Sequence, residues 1–136
     1  MCGIAGLIHK GGSSDVGREM TSMLQALKHR GPDSTGYAVY GLPESGEIIM
    51  RLKVAEAEDM AKGHGVHQRI KDRIADVEGI LADHKVKIKS CTAPTEYSLR
   101  YVLESDGDFT ATAASIEETD GVEILSVGNG LELIKD

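Results

Sequence analysis

Residues 96–104, Glu-Tyr-Ser-Leu-Arg-Tyr-Val-Leu-Glu, constrain the fold more than any other stretch of the chain. In an extended backbone Tyr97, Leu99, Tyr101 and Leu103 point to one side, and Ser98, Arg100 and Glu104 to the other. A strand of this kind buries one face and needs a second layer to cover it. The chain supplies that layer between Ala55 and Ala82, where the pattern turns helical and Gly63 and Gly65 split it. In the later part Ile70, Ile74, Val77 and Leu81 share a face, with Lys71, Asp72, Arg73, Asp76 and Glu78 outside. That charged exterior reads as a solvated helix surface rather than a docking face.

The rest of the sequence adds elements of both kinds. Residues 3–8 read as a short buried strand closed by Gly11-Gly12. Ser13 or Ser14 can cap a helix whose apolar face is Val16, Met20, Met23, Leu24 and Leu27, and Gly31-Pro32 stops it after His29. Residues 35–41 and 47–54 read as two strands in a hairpin-like connection, Val86 and Ile88 as a short strand, and residues 109–116 and 121–127 as further strands. Asp106-Gly107 marks a turn, Asn129-Gly130 reads as a type I′ turn, and Leu131–Lys135 as a last strand. With helices and hairpins interleaved, the fold class is α+β.

At 136 residues the chain is one domain, large enough to bury roughly two-thirds of its unfolded surface without metal or disulfide support. It carries 22 acidic and 15 basic residues, a formal charge of −7, and only five Tyr and Phe residues with no Trp. Neither the charge nor the aromatic content suits a nucleic-acid binder, which must displace counterions and stack bases. The apolar run from Ile4 to Ile8 is short and has no cationic stretch before it, and no window nears the roughly 20 apolar residues of a membrane span. The expectation is a cytoplasmic protein with no membrane contact. In that compartment Cys2 and Cys91 stay reduced, and Cys91 is expected in the core as a small apolar residue. His64 and His67 lack a CxxC or HExxH frame and read as solvated histidines, so no metal and no cofactor are expected.

Two segments carry chemistry: Met1-Cys2-Gly3-Ile4-Ala5-Gly6 and Leu27-Lys28-His29-Arg30-Gly31-Pro32-Asp33-Ser34-Thr35-Gly36. Removal of Met1 would leave a thiol and a free α-amine on one residue. An α-amine with a pKa near 7.7–8.0 is partly neutral at cellular pH and can take the thiol proton, so Cys2 supplies both nucleophile and base. In the second segment Pro32 fixes φ and removes a donor, Gly31 and Gly36 permit close backbone approach, Asp33 and Ser34 can bond local backbone, and Arg30 is a fixed charge suited to a carboxylate.

Taken together, in this order and spacing, the two segments resemble the class II glutamine amidotransferases, which are N-terminal-nucleophile hydrolases. The resemblance implies an αββα layered sandwich, of which residues 1–136 form the N-terminal portion and hence an incomplete layer set. It implies Cys2 as the nucleophile that attacks the glutamine side-chain amide, and Arg30, Gly31, Asp33 and Ser34 as the substrate-site loop. It further implies a synthase subunit that accepts the ammonia in a hetero-oligomer. The RGPDSTG loop, the charged helix and the ending Ser126–Asp136 look most like the amidotransferase subunit of glutamate synthase and N-methylglutamate synthase.

The family's Arg motif for the glutamine α-carboxylate and its Asn-Gly oxyanion segment have no counterpart here, since the flanks of Asn129-Gly130 do not match. Lost oxyanion donors cost roughly 10²–10³ in rate, so the chain alone is expected to be a weak glutaminase that needs further C-terminal residues or a partner chain. The competing expectation is a non-catalytic amidotransferase-like subunit that kept the fold without the site.

Overall fold

The computed structural model describes residues 3–11, 15–30, 35–41, 46–61, 63 and 65–135. They fall into two compact units, one of Met1–Gly36 with Lys135–Asp136 and one of Tyr37–Ile134. No described helix is long and apolar enough to cross a membrane.

In the first unit, helix α1 spans Val16–Leu27 and continues as a single 3₁₀ turn, Lys28–Arg30. Its N-cap is Asp15, whose side chain accepts from the Arg18 amide at 3.3 Å, in place of the Ser13 or Ser14 expected. No α1 residue is fully buried; the half-buried stripe is Met20, Leu24 and Leu27. Residues 3–9 do not form the expected buried strand. Ala5 and Leu7 are half-buried, but Ile4 and Ile8 are 95% and 88% exposed. Burial alternates from Ile4 to Ile8 as in an extended chain, but these residues belong to neither of the sheets formed by the described residues.

The second unit holds the core. Strands β2 (Glu47–Lys53), β3 (Lys87–Thr95), β4 (Ser98–Glu104) and β5 (Glu123–Gly128) form an antiparallel sheet in the order β3-β4-β2-β5. Leu52 faces Leu99, Met50 faces Tyr101 and Ile48 faces Leu103, so the predicted alternation of β4 builds one apolar face with β2. Helices α3 (Val66–Asp83) and α4 (Thr110–Glu117), with the short α2 (Ala57–Ala61) between β2 and α3, complete the helical part. The core joins Val66, Ile70, Val77 and Leu81 of α3 with Ile116 of α4, Met50 and Leu52 of β2, and Leu99, Tyr101 and Leu103 of β4. Gly63 and Gly65, at φ 72° and 78°, break the helical stretch as expected. Strands β1 (Gly36–Tyr40) and β6 (Leu131–Lys135) form a separate two-stranded sheet.

Four further expectations change. Where residues 109–116 were expected as a strand, Thr110–Glu117 form helix α4. Asp108 accepts from the Thr110 amide at 2.9 Å and its hydroxyl at 2.6 Å, which starts a helix rich in Ala, and Thr112 and Ile116 are its buried residues at i, i+4 spacing. Strands β1 and β2 are not a hairpin, because β1 pairs with β6. Asn129-Gly130 is no type I′ turn: neither residue has positive φ, and the link carries the chain from one sheet to the other. Cys91 is exposed, because β3 is an edge strand with exposed residues throughout.

Helix α3 ends in a Schellman arrangement, with the Val86 amide on the Leu81 carbonyl at 2.9 Å and the Lys85 amide on that of Ala82 at 2.9 Å. The residue that must turn left-handed is Lys85, at φ 59°, where a side chain costs about 1 kcal/mol relative to glycine. Lys85→Gly is therefore expected to raise the unfolding free energy by about 1 kcal/mol in urea titration. An unchanged or lower midpoint would show that Lys85 is not strained there.

Candidate functional site

The first unit brings the two motif segments together at one point. A Cβ built on Gly3 would lie 3.5 Å from Leu27 Cβ, 3.6 Å from Leu27 Cδ1 and 3.7 Å from Arg30 Cβ. The residue after Cys2 thus packs against the last turn of α1 and the Arg30 that opens the RGPDSTG loop. At the other end of α1, His9 Nε2 donates to Glu19 Oε2 at 2.7 Å. Arg30 itself is exposed, and Gly36 opens β1. Cys2, Gly31, Asp33 and Ser34 lie outside the described residues. Among the predicted site residues the structure therefore positions Arg30, and brings to it the neighbour of Cys2.

The second unit contains a charged cluster that sequence reading does not find. Arg51 of β2 and Arg100 of β4 are directly opposite one another in the antiparallel ladder. Like charges in that relation repel. Glu132, from β6, relieves the repulsion by accepting from Arg51 Nε at 2.6 Å and from Arg100 Nε and Nη2 at 2.8 and 2.9 Å. The two-bond fork to Arg100 holds the Glu132 carboxyl below its ordinary value; burial opposes this, and Arg51 reinforces it. The same fork raises Arg100, with burial opposing. Nearby, Ser126 of β5 accepts from the Leu133 amide at 3.0 Å. Two polar contacts thus fix β6 over the polar face of the four-stranded sheet. The only advance signal was Arg100 on the polar side of the β4 alternation; its partners come from segments 49 and 32 residues away and are set by topology.

A cavity of about 360 Å³ adjoins this cluster, with Val39, Ile49 and Val102 as its apolar walls and Glu47, Arg100 and Glu132 as its charged ones. On the helical side of the sheet, the buried Tyr101 hydroxyl donates to Glu78 at 3.2 Å. Burial pushes that hydroxyl up, as do Cys91 and Glu78 beside it. The Cys91 thiol is also raised, chiefly by desolvation, with the Tyr101 hydrogen bond pulling the other way. A raised thiol holds less thiolate at neutral pH, which disfavours Cys91 as a nucleophile. Among the described residues, no group of three or more His, Cys, Asp and Glu side chains is placed to hold a metal ion. His67 is exposed, and His64 lies outside the described residues.

Comparison with known proteins gives a consistent direction. The chain is 34% identical over 139 aligned positions, its full length, to a protein of Methanothermobacter thermautotrophicus provisionally named as a glutamine amidotransferase, of which it covers 43%. It is 28% identical over its full length to a glutamine amidotransferase-like protein of Rhizobium meliloti, of which it covers 41%. A 64-residue stretch is 34% identical to a protein of Methanocaldococcus jannaschii provisionally named as a glutamine-hydrolysing asparagine synthetase, spanning 47% of this chain and 12% of that one. The chain spans less than half the length of the curated relatives it matches. No family profile matches it, and no solved structure matches it significantly. The relatives support a glutamine amidotransferase family.

The Glu132 cluster has a pH signature. Its carboxyl titrates lower folded than unfolded, so its contribution is complete above the ordinary carboxylate value near 4.5 and is lost as pH falls through the lower folded value. Glu132→Gln is expected to cost about 1–3 kcal/mol at neutral pH, below the full figure for a buried pair because the cluster is partly solvated. The difference between variant and wild type should shrink on acidification below pH about 4.5. A difference that stays constant between pH 7 and pH 3 in chemical denaturation would rule the ion cluster out as its origin.

Proposed function

We propose that the chain is the nucleophile-bearing part of a class II glutamine amidotransferase, an N-terminal-nucleophile hydrolase of αββα type. The packing of Gly3 against Leu27 and Arg30 carries this reading, because it supports bringing the start of the chain and the RGPDSTG loop into one site. Full-length similarity to proteins named for the activity supports the substrate, glutamine, and the reaction class.

In this reading Met1 is removed and the freed α-amine of Cys2 takes the thiol proton. The sulfur attacks the side-chain amide carbon of glutamine, and the C–N bond breaks as the amine-held proton passes to the leaving nitrogen. Ammonia departs and a γ-glutamyl thioester remains. Water then attacks the thioester carbon, the sulfur leaves, and glutamate and the free thiol are restored. Gly31, Asp33 and Ser34 belong in this reading to the substrate-site loop, and Arg30 offers a fixed charge for a carboxylate of the substrate. The ammonia goes to a synthase subunit in a hetero-oligomer in the cytoplasm, since a neutral amine released to solvent protonates and is lost as a nucleophile. Glutamate synthase or N-methylglutamate synthase is the type of partner.

The diagnostic reagent is 6-diazo-5-oxo-L-norleucine, a glutamine analogue whose electrophilic carbon traps the attacking sulfur. Mass spectrometry is expected to find Met1 absent and one adduct on Cys2, abolished in Cys2→Ser and kept in Cys91→Ser. Arg30→Ala should slow labelling by about tenfold or more through loss of substrate orientation. No adduct on Cys2, with or without a candidate synthase chain, would overturn the enzyme reading in favour of a non-catalytic subunit.

A further inference from the structure

Residues 3–9 run beside α1 without belonging to any sheet, and two contacts at opposite ends of the helix hold them. Gly3 lies against Leu27 and Arg30 after the last turn, and His9 donates to Glu19 in the first turn. The segment is therefore antiparallel to the helix. The lengths agree: six residue steps reach at most about 20–22 Å, and the helix between Glu19 and Leu27 rises about 12 Å. Between the two contacts, Ala5 and Leu7 are turned inward, and Ile4, Gly6 and Ile8 are exposed. So little apolar burial leaves much of the holding to the end contacts.

We propose that the His9–Glu19 hydrogen-bonded pair is the far anchor of a strap that lays the N-terminal segment along α1 and holds Gly3 against Leu27 and Arg30, which sets the start of the chain for the chemistry assigned to Cys2. His9 and Glu19 are positioning residues, acting through the segment. The inference rests on Cys2 as nucleophile for its consequence, while the strap itself is a matter of geometry. Both side chains are partly exposed, at 33% and 47%, so the pair shifts the strapped population modestly, by about two- to fivefold.

Two measurements on the full chain in a Cys91→Ser background separate the strap from the chemistry. The first is the initial rate of tryptic cleavage after Lys10, which reports opening of this segment when reclosing is fast. Glu19→Ala, which leaves the cleavage sequence intact, is expected to raise it two- to fivefold. The second is the rate of Cys2 labelling by 6-diazo-5-oxo-L-norleucine, expected to fall two- to fivefold in Glu19→Ala and in His9→Ala, with His9→Gln recovering most of the loss because it retains a donor. The His9→Ala/Glu19→Ala double variant should label no more slowly than either single variant, since both remove one contact. An unchanged cleavage rate overturns the strap, and a raised cleavage rate with unchanged labelling overturns its positioning role. Wild-type Cys2 that takes no label refutes the preceding functional reading instead, and the cleavage rate alone then decides the strap.

Discussion

Two arginines face each other across neighbouring antiparallel strands, and the layout of the second unit depends on how that repulsion is resolved. Arg51 and Arg100 share a register position on the polar side of the sheet. Water could solvate them if that side were open. Instead β6 crosses it and inserts Glu132 between them. The carboxylate is what allows a second, smaller sheet to approach the two arginines, and the Ser126–Leu133 contact repeats the attachment one strand away. The helices cover the opposite, apolar side, so β2 and β4, the central strands of the sheet, are committed on both faces. One face is held by area removed from water, the other by directional charge pairing.

The first unit is built on a different balance. Its helix has no fully buried residue and its N-terminal segment shows two isoleucines to solvent. Stability there comes from few contacts, which suits a segment whose task in the proposed mechanism is to present a terminal residue. An N-terminal nucleophile needs its amine and thiol reachable by substrate, and deep burial would oppose both.

Legibility in the sequence followed the strength of the local pattern. The α3 stripe and the β4 alternation were readable because burial on one face imposes a period on the residues themselves. Helix α4 was misread because Thr, Ile and Phe carry strand preference, while the Asp108 start signal and the alanines that decide for helix are weaker marks. Cys91 was misread because a small apolar residue in an alternating strand says nothing about whether that strand is central or at an edge. The candidate site was readable as two motifs, MCGIAG and RGPDSTG. Their approach through Gly3 and Arg30 was not, since it depends on how residues 3–9 return along a helix.

The sequence by itself determined the α+β class, the core faces of α3 and β4, and the residue types capable of the proposed chemistry. These follow from side-chain periodicity and functional groups, which are local properties. Tertiary structure decided which strands pair, that β1 joins β6 rather than β2, that Arg51 and Arg100 share one carboxylate, and that His9 meets Glu19. Those outcomes join residues far apart in the chain. Their free energies belong to pairs rather than to residues, and only the folded topology selects the pairs.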